Sequence, residues 1–97
     1  MDCYTKSIQF NPEDSEALNN KGVVLHHLMR YEESIQYYDQ SINIDSKDKV
    51  AIINKGLALF SLNKYNEAIQ CYDRALEIDP NNKKALHNKE VAMACLN

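Results

Sequence analysis

Histidines and cysteines are the side chains of this 97-residue chain best suited to hold a metal or act as nucleophiles, and their spacing gives them little support. His87-x-x-Glu90 sets two potential ligands one helical turn apart, whereas a zinc site takes three or four. His26 and His27 are consecutive, so on a helix they point in different directions, which predicts that they do not face a common ligand. Cys3, Cys71 and Cys95 form no CxxC pair, and an odd number of thiols suits a reducing, cytoplasmic compartment. There is no glycine-rich phosphate loop, no GxSxG and no HExxH. The expectation is therefore no catalytic residue, no metal, no cofactor, and a protein that is not an enzyme. What does recur is an amide: Asn20, Asn54 and Asn88 stand 34 residues apart. An amide carries two donors and an acceptor, so it can pair with a peptide backbone whatever that peptide's side chains are.

The asparagines share their spacing with the rest of the sequence. Residues 15–48 and 49–82 align without a gap, and 14 of the 34 positions are identical. Lys21-Gly22 answers Lys55-Gly56, and Tyr31 to Tyr38 answers Tyr65 to Tyr72. A third partial copy begins near Ala85, and Tyr4-Thr-Lys-Ser-Ile at the start matches Tyr38-Asp-Gln-Ser-Ile. A fixed period of this length points to stacked supersecondary units that bury one another's apolar faces.

Composition agrees and excludes several partners. Two glycines and two prolines leave little material for sheet turns, and the net charge of −3 is mild with both signs interspersed. No basic stripe argues for nucleic acid or a membrane surface. No apolar run approaches the ~20 residues of a spanning helix, and the first residues lack the pattern of a signal peptide.

Apolar positions recur at three and four, the helical period. They predict a short helix over about 2–10, then helices near 15–28, 31–44, 49–62, 65–78 and 83–96. Asp14, Asp48 and Asn82 are suited to cap three of these. Pro12 and Pro80 stop the preceding helices, and Ser46 at the middle boundary is a softer stop whose side chain bonds backbone locally. Turns fall at Met29-Arg30 and Asn63-Lys64. Asn63 accepts the left-handed conformation that ends many helices, and Met29 does so less easily. Gly22 and Gly56 lie mid-helix and need a packing reason; the small Ser34 and Ala68 are their expected partners. Cys3 and Cys71 take the slot of Tyr37 and read as packing residues.

The period, the Gly22 and Gly56 slots, Ala68, Tyr38, Tyr72, Ala75 and the Asp79-Pro80 ending resemble the tetratricopeptide repeat (TPR). There are departures: Leu18 and Ile52 replace the usual tryptophan, Lys21, Lys55 and Lys89 precede the glycine position, and Glu90 replaces the third glycine. The resemblance implies an all-α fold, a right-handed α-solenoid of antiparallel helix pairs forming a single domain. It comprises a partial repeat at 1–14, full repeats at 15–48 and 49–82, and a partial repeat or capping helix at 83–97. Residues 2–10 then form a second helix without its first, leaving Tyr4 and Ile8 uncovered. Either the chain is a piece of a longer array or another molecule covers that end, which invites self-association.

TPR arrays line a concave groove with their first helices. Carried over, this implies a peptide-binding groove built from Asn20, Val23, Ile53, Asn54, Leu57, Phe60, Lys84, Asn88 and Val91, with Asn19, His27 and His87 beside them. The alternative for the asparagines is that each bonds backbone or the neighbouring repeat, or is simply inherited with the duplicated repeat. Burying Leu57 and Phe60 against a ligand contributes on the order of 3 kcal/mol before ordering costs, which favours an apolar peptide or amphipathic helix. Some TPR co-chaperones clamp the acidic Glu-Glu-Val-Asp tail of heat-shock chaperones with two lysines, two asparagines and an arginine. Asn54 and Lys84 match two of those slots, but Asn19, Val23 and Asn88 fill the others, and the lost cations weaken the match. The function expected is a protein–protein interaction scaffold or adaptor. The alternative is an architectural subunit that contacts neighbours through its ends and convex face.

Overall fold

The computed structural model describes residues 15–96, and the readings placed on residues 1–14, including the 2–10 helix, the Asp14 cap, Cys3 and the Tyr4–Ile8 face, lie outside them. The described residues form α1 (Ser15–His27), α2 (Tyr31–Ile44), α3 (Lys49–Ser61), α4 (Tyr65–Ile78) and α5 (Lys83–Leu96). For these five helices the predicted starts are met and each end falls within a residue of expectation. Asp48 accepts the Val50 and Ala51 amides to open α3, and Asn82 accepts the Ala85 amide at 3.0 Å to open α5. These carboxylate and amide oxygens satisfy donors that a helix start leaves free. At the middle boundary the local bond comes from the neighbour of Ser46: the Lys47 amide donates to Asp45 at 3.1 Å.

α1 and α3 end alike. Met29 and Asn63 are left-handed, with φ of 63° and 64°. The Met29 amide donates to His26 and the Arg30 amide to Leu25, both at 2.9 Å, and Asn63 and Lys64 donate likewise to Phe60 and Leu59. This double bond pattern is the Schellman ending, which reverses the chain in three residues. A methionine there carries the steric cost that asparagine largely avoids.

Each helix packs on the next, and α1 also touches α3 while α3 touches α5. Among the described residues α2 and α4 share no such contact. The first helices therefore form a close inner layer and the second helices a spread outer one, which is how a curved stack is built. One core cluster lies between α3, α4 and α5, where Ile52, Ile53, Leu59, Ala68, Tyr72, Ala75, Ala85 and Ala92 are buried together, and Ala17, Leu18 and Leu25 of α1 and Tyr38 of α2 are buried as well.

The mid-helix glycines have a different partner from the one expected. A β-carbon on Gly56 would lie 2.5 Å from the ring of Tyr72, and one on Gly22 would overlap the ring of Tyr38. The tyrosine rings, rather than Ala68 and Ser34, take the space that glycine leaves. Ser34 turns its hydroxyl to the Tyr31 carbonyl of its own helix at 2.7 Å. Ser41 donates to the Ser15 carbonyl, also at 2.7 Å, tying α2 to the start of α1. Both tyrosines are fully buried, and burial pushes their hydroxyls up to about 12.

Two ion pairs join successive copies in the same register. Lys55 on α3 meets Asp39 on α2, and Lys89 on α5 meets Asp73 on α4, each at 2.6 Å. The lysine that departs from the family pattern thus finds a carboxylate on the preceding helix. Lys49 and Asp79 add a third bridge at 2.9 Å.

Candidate functional site: a cavity on the inner layer

Val23, Asn54, Leu57 and Lys84, drawn from α1, α3 and α5, surround one cavity of about 250 Å³. Tyr38 from α2 closes it, and His26 and His27 complete the lining. Their positions follow from helix phase: residues three and four apart share a face, and the inner layer turns one such stripe from each first helix inward. The floor is aliphatic, Val23 and Leu57 both being half-buried, and the exposed Lys84 places a cation at the edge.

The two histidines overturn the expectation that they face apart. Although successive residues on a helix diverge, both imidazoles border this cavity, His26 half-buried and His27 exposed. Their ring centroids are 6.2 Å apart at 83°. On its other side the His26 ring meets Tyr31 edge-on at 5.0 Å. Burial, helped by the charge of His27 beside it, holds His26 below the usual imidazole range.

The remaining predicted residues divide. Ile53 is only 3 % exposed and belongs to the core; one position from Asn54 is about 100° of helix rotation, enough to turn it from the inner face into the stack. Phe60 occupies the slot of His26 and repeats its contact, meeting Tyr65 edge-on at 5.2 Å. It packs against the core and does not line the cavity. Val91 is exposed and Asn88 half-buried on α5, neither at the cavity. Asn20 borders a larger hollow of about 670 Å³ where α1 and α3 begin. The polar groups around that hollow already have structural work: Asp48 caps α3, Asp45 takes the Lys47 amide and Lys49 bridges Asp79.

The three asparagines are not equivalent. Asn54 donates from Nδ2 to Asn19 Oδ1 at 3.1 Å, across the copies. In the next copy Ile53 stands in the Asn19 slot, and Asn88 Nδ2 is buried with no hydrogen-bond partner. The neighbouring-repeat bond is therefore made at Asn54 and missing at Asn88. Asn54 keeps one N–H and its carbonyl free of that bond.

No helix among the described residues is long and apolar enough to cross a membrane. His87 and Glu90 gather no third metal-ligating side chain among the described residues.

Family models of the tetratricopeptide repeat match residues 50–82 and 3–36. The chain belongs to the tetratricopeptide repeat family. Among solved structures it is similar to the first TPR of Spaghetti (RPAP3) bound to the HSP90 peptide SRMEEVD, with 26% identity, 98% of this chain and 75% of that chain covered, and a TM-score of 0.94. It is also similar to the second TPR domain of human RPAP3 in complex with the HSP70 peptide SGPTIEEVD, with 27% identity, 95% and 77% covered, and a TM-score of 0.89. The Arabidopsis OM64 TPR domain matches at 26% identity over 95% of this chain and 76% of that one, with a TM-score of 0.91. No curated protein sequence matches the chain. The fold is an all-α solenoid of consecutive helix pairs.

Proposed function

We propose that this TPR chain is a protein-interaction adaptor that holds a peptide on its inner layer, centred on Val23, Asn54, Leu57 and Lys84. The observation that carries this reading is the convergence of those four side chains, from three different helices, on one cavity. The cavity combines an aliphatic floor with an amide and a cation, which suits one apolar side chain held beside a polar or acidic group. Relatives of known structure bind acidic peptides ending in EEVD, which supports a peptide as ligand. In this reading the chain is a binding module rather than an enzyme, cytoplasmic, and organised as two full repeats between partial ones in a single domain.

Affinity capture with the wild type and Lys84→Glu tests the proposal, because Lys84 is exposed and its exchange leaves the core intact. Both proteins should give the same helical circular dichroism, and partners held by the wild type should be lost from the variant. Partners kept by both would move the site elsewhere.

A second reading, an architectural subunit contacting neighbours through its ends, is favoured by one feature of α5. Leu86 and Met93 are 43 % and 47 % exposed, whereas their counterparts Ile52 and Leu59 are 1 % and 4 % exposed beneath α4. A neighbour covering Leu86 and Met93 would bury the same face.

A further inference from the structure

We propose that His26 and His27 make the inner-layer cavity a proton-dependent seat for an acidic peptide, with an aliphatic side chain between Val23 and Leu57 and the adjoining carboxylate against Lys84 and the two imidazoles. This rests on the groove reading above and adds to it the regulation of that site by protons.

Charge argues first. Among the described residues no carboxylate lines the cavity and Lys84 has no ion-pair partner. Among the described residues, every group at the cavity beside the histidines is cationic, neutral or a hydrogen-bond donor. From α1 each imidazole faces the other; from α2 come the rings of Tyr31 and Tyr38. From α3 come only Asn54 and Leu57, and from α5 Lys84. The Tyr38 hydroxyl stays protonated at any ordinary pH, so it adds no negative charge. A protonated His26 therefore has nothing among the described residues to balance it, and burial already disfavours that state.

An arriving carboxylate changes this balance. It favours the charged form of both imidazoles, so binding raises their proton affinity, and linkage requires that protons raise the affinity for the ligand by the same factor. The sign follows: affinity climbs as pH falls through the imidazole range, then drops once the ligand's own carboxylates protonate near pH 4. Lys84 alone holds a peptide weakly at pH 7.5, and two imidazolium groups strengthen that hold at pH 5.5 by charge-assisted hydrogen bonds.

The probe is the peptide SRMEEVD, which a relative binds, measured by calorimetry at pH 5.5 and 7.5. The wild type should bind about tenfold more tightly at pH 5.5, within the range coupled sites show. The double variant His26→Gln, His27→Gln should bind equally at both values, and C-terminally amidated SRMQQVA should gain nothing on acidification. In the histidine proton spectrum, peptide should move both imidazole titrations upward. A pH dependence that survives in the double variant, or none in the wild type, overturns the proposal, as does no binding at either pH. If Lys84→Glu weakens the peptide while the histidines have no influence, only the proton linkage fails. If Lys84→Glu changes nothing, the groove reading fails with it.

Discussion

The junction between the first and second copies and the junction between the second and third are built on the same plan and diverge at a few side chains. Both carry a lysine–aspartate bridge of 2.6 Å in the same register. The first adds the Asn54–Asn19 bond; the second puts Ile53 in place of Asn19 and leaves Asn88 Nδ2 without a partner. The glycine slot differs as well, since Gly56 receives the Tyr72 ring while Glu90 is exposed on a helix face that no second helix covers among the described residues. Contacts that hold the stack are thus kept where a neighbouring helix presses on them. Where the neighbour changes, the same slot tolerates a different residue.

Making the second copy resemble the third at the glycine slot should have the largest effect. Gly56→Glu forces a β-carbon into the fully buried Tyr72 ring and should lower stability by about 3 kcal/mol or more, read from chemical denaturation. A variant as stable as wild type would break the glycine–tyrosine assignment. The asparagines should respond with opposite signs. Asn54→Leu strands the buried Asn19 acceptor and should cost about 1–2 kcal/mol, whereas Asn88→Leu removes an unpartnered amide and should gain about 0.5–1 kcal/mol. Equal melting shifts for the two would mean that the amides are equivalent after all. The ion pairs should matter least and alike. Lys55→Met and Lys89→Met should each cost about 0.5 kcal/mol at low salt, because all four groups are partly solvent-exposed and screened. A large difference between them would show that the junctions are not mechanically equivalent.

Most of the fold was legible because its signals are local. The caps Asp48 and Asn82 and the left-handed Met29 and Asn63 each act within a few residues, and the 34-residue period repeats them along the chain. The misreadings all concern which way a side chain turns. The repeat pattern puts Ile53 on the inner face, whereas it lies in the core, one helical step away from Asn54. Ser34 and Ala68 were chosen for Gly22 and Gly56 by size, while the space was taken by Tyr38 and Tyr72, four residues further on. His26 and His27 were separated because neighbours on a helix diverge, yet a cavity wide enough to be bordered by four helices admits both. The Lys55–Asp39 and Lys89–Asp73 bridges were visible as recurring residues, but the partners sit 16 positions apart on different helices, where no helical period relates them.

The most direct test of the inner-layer site is an amide chemical-shift titration of the whole chain with SRMEEVD at pH 5.5. The account predicts that shifts concentrate at Val23, His26, His27, Asn54, Leu57 and Lys84. Shifts confined to the outer helices, around Tyr37, Cys71 and Arg74, or no shifts at saturating peptide, would contradict it.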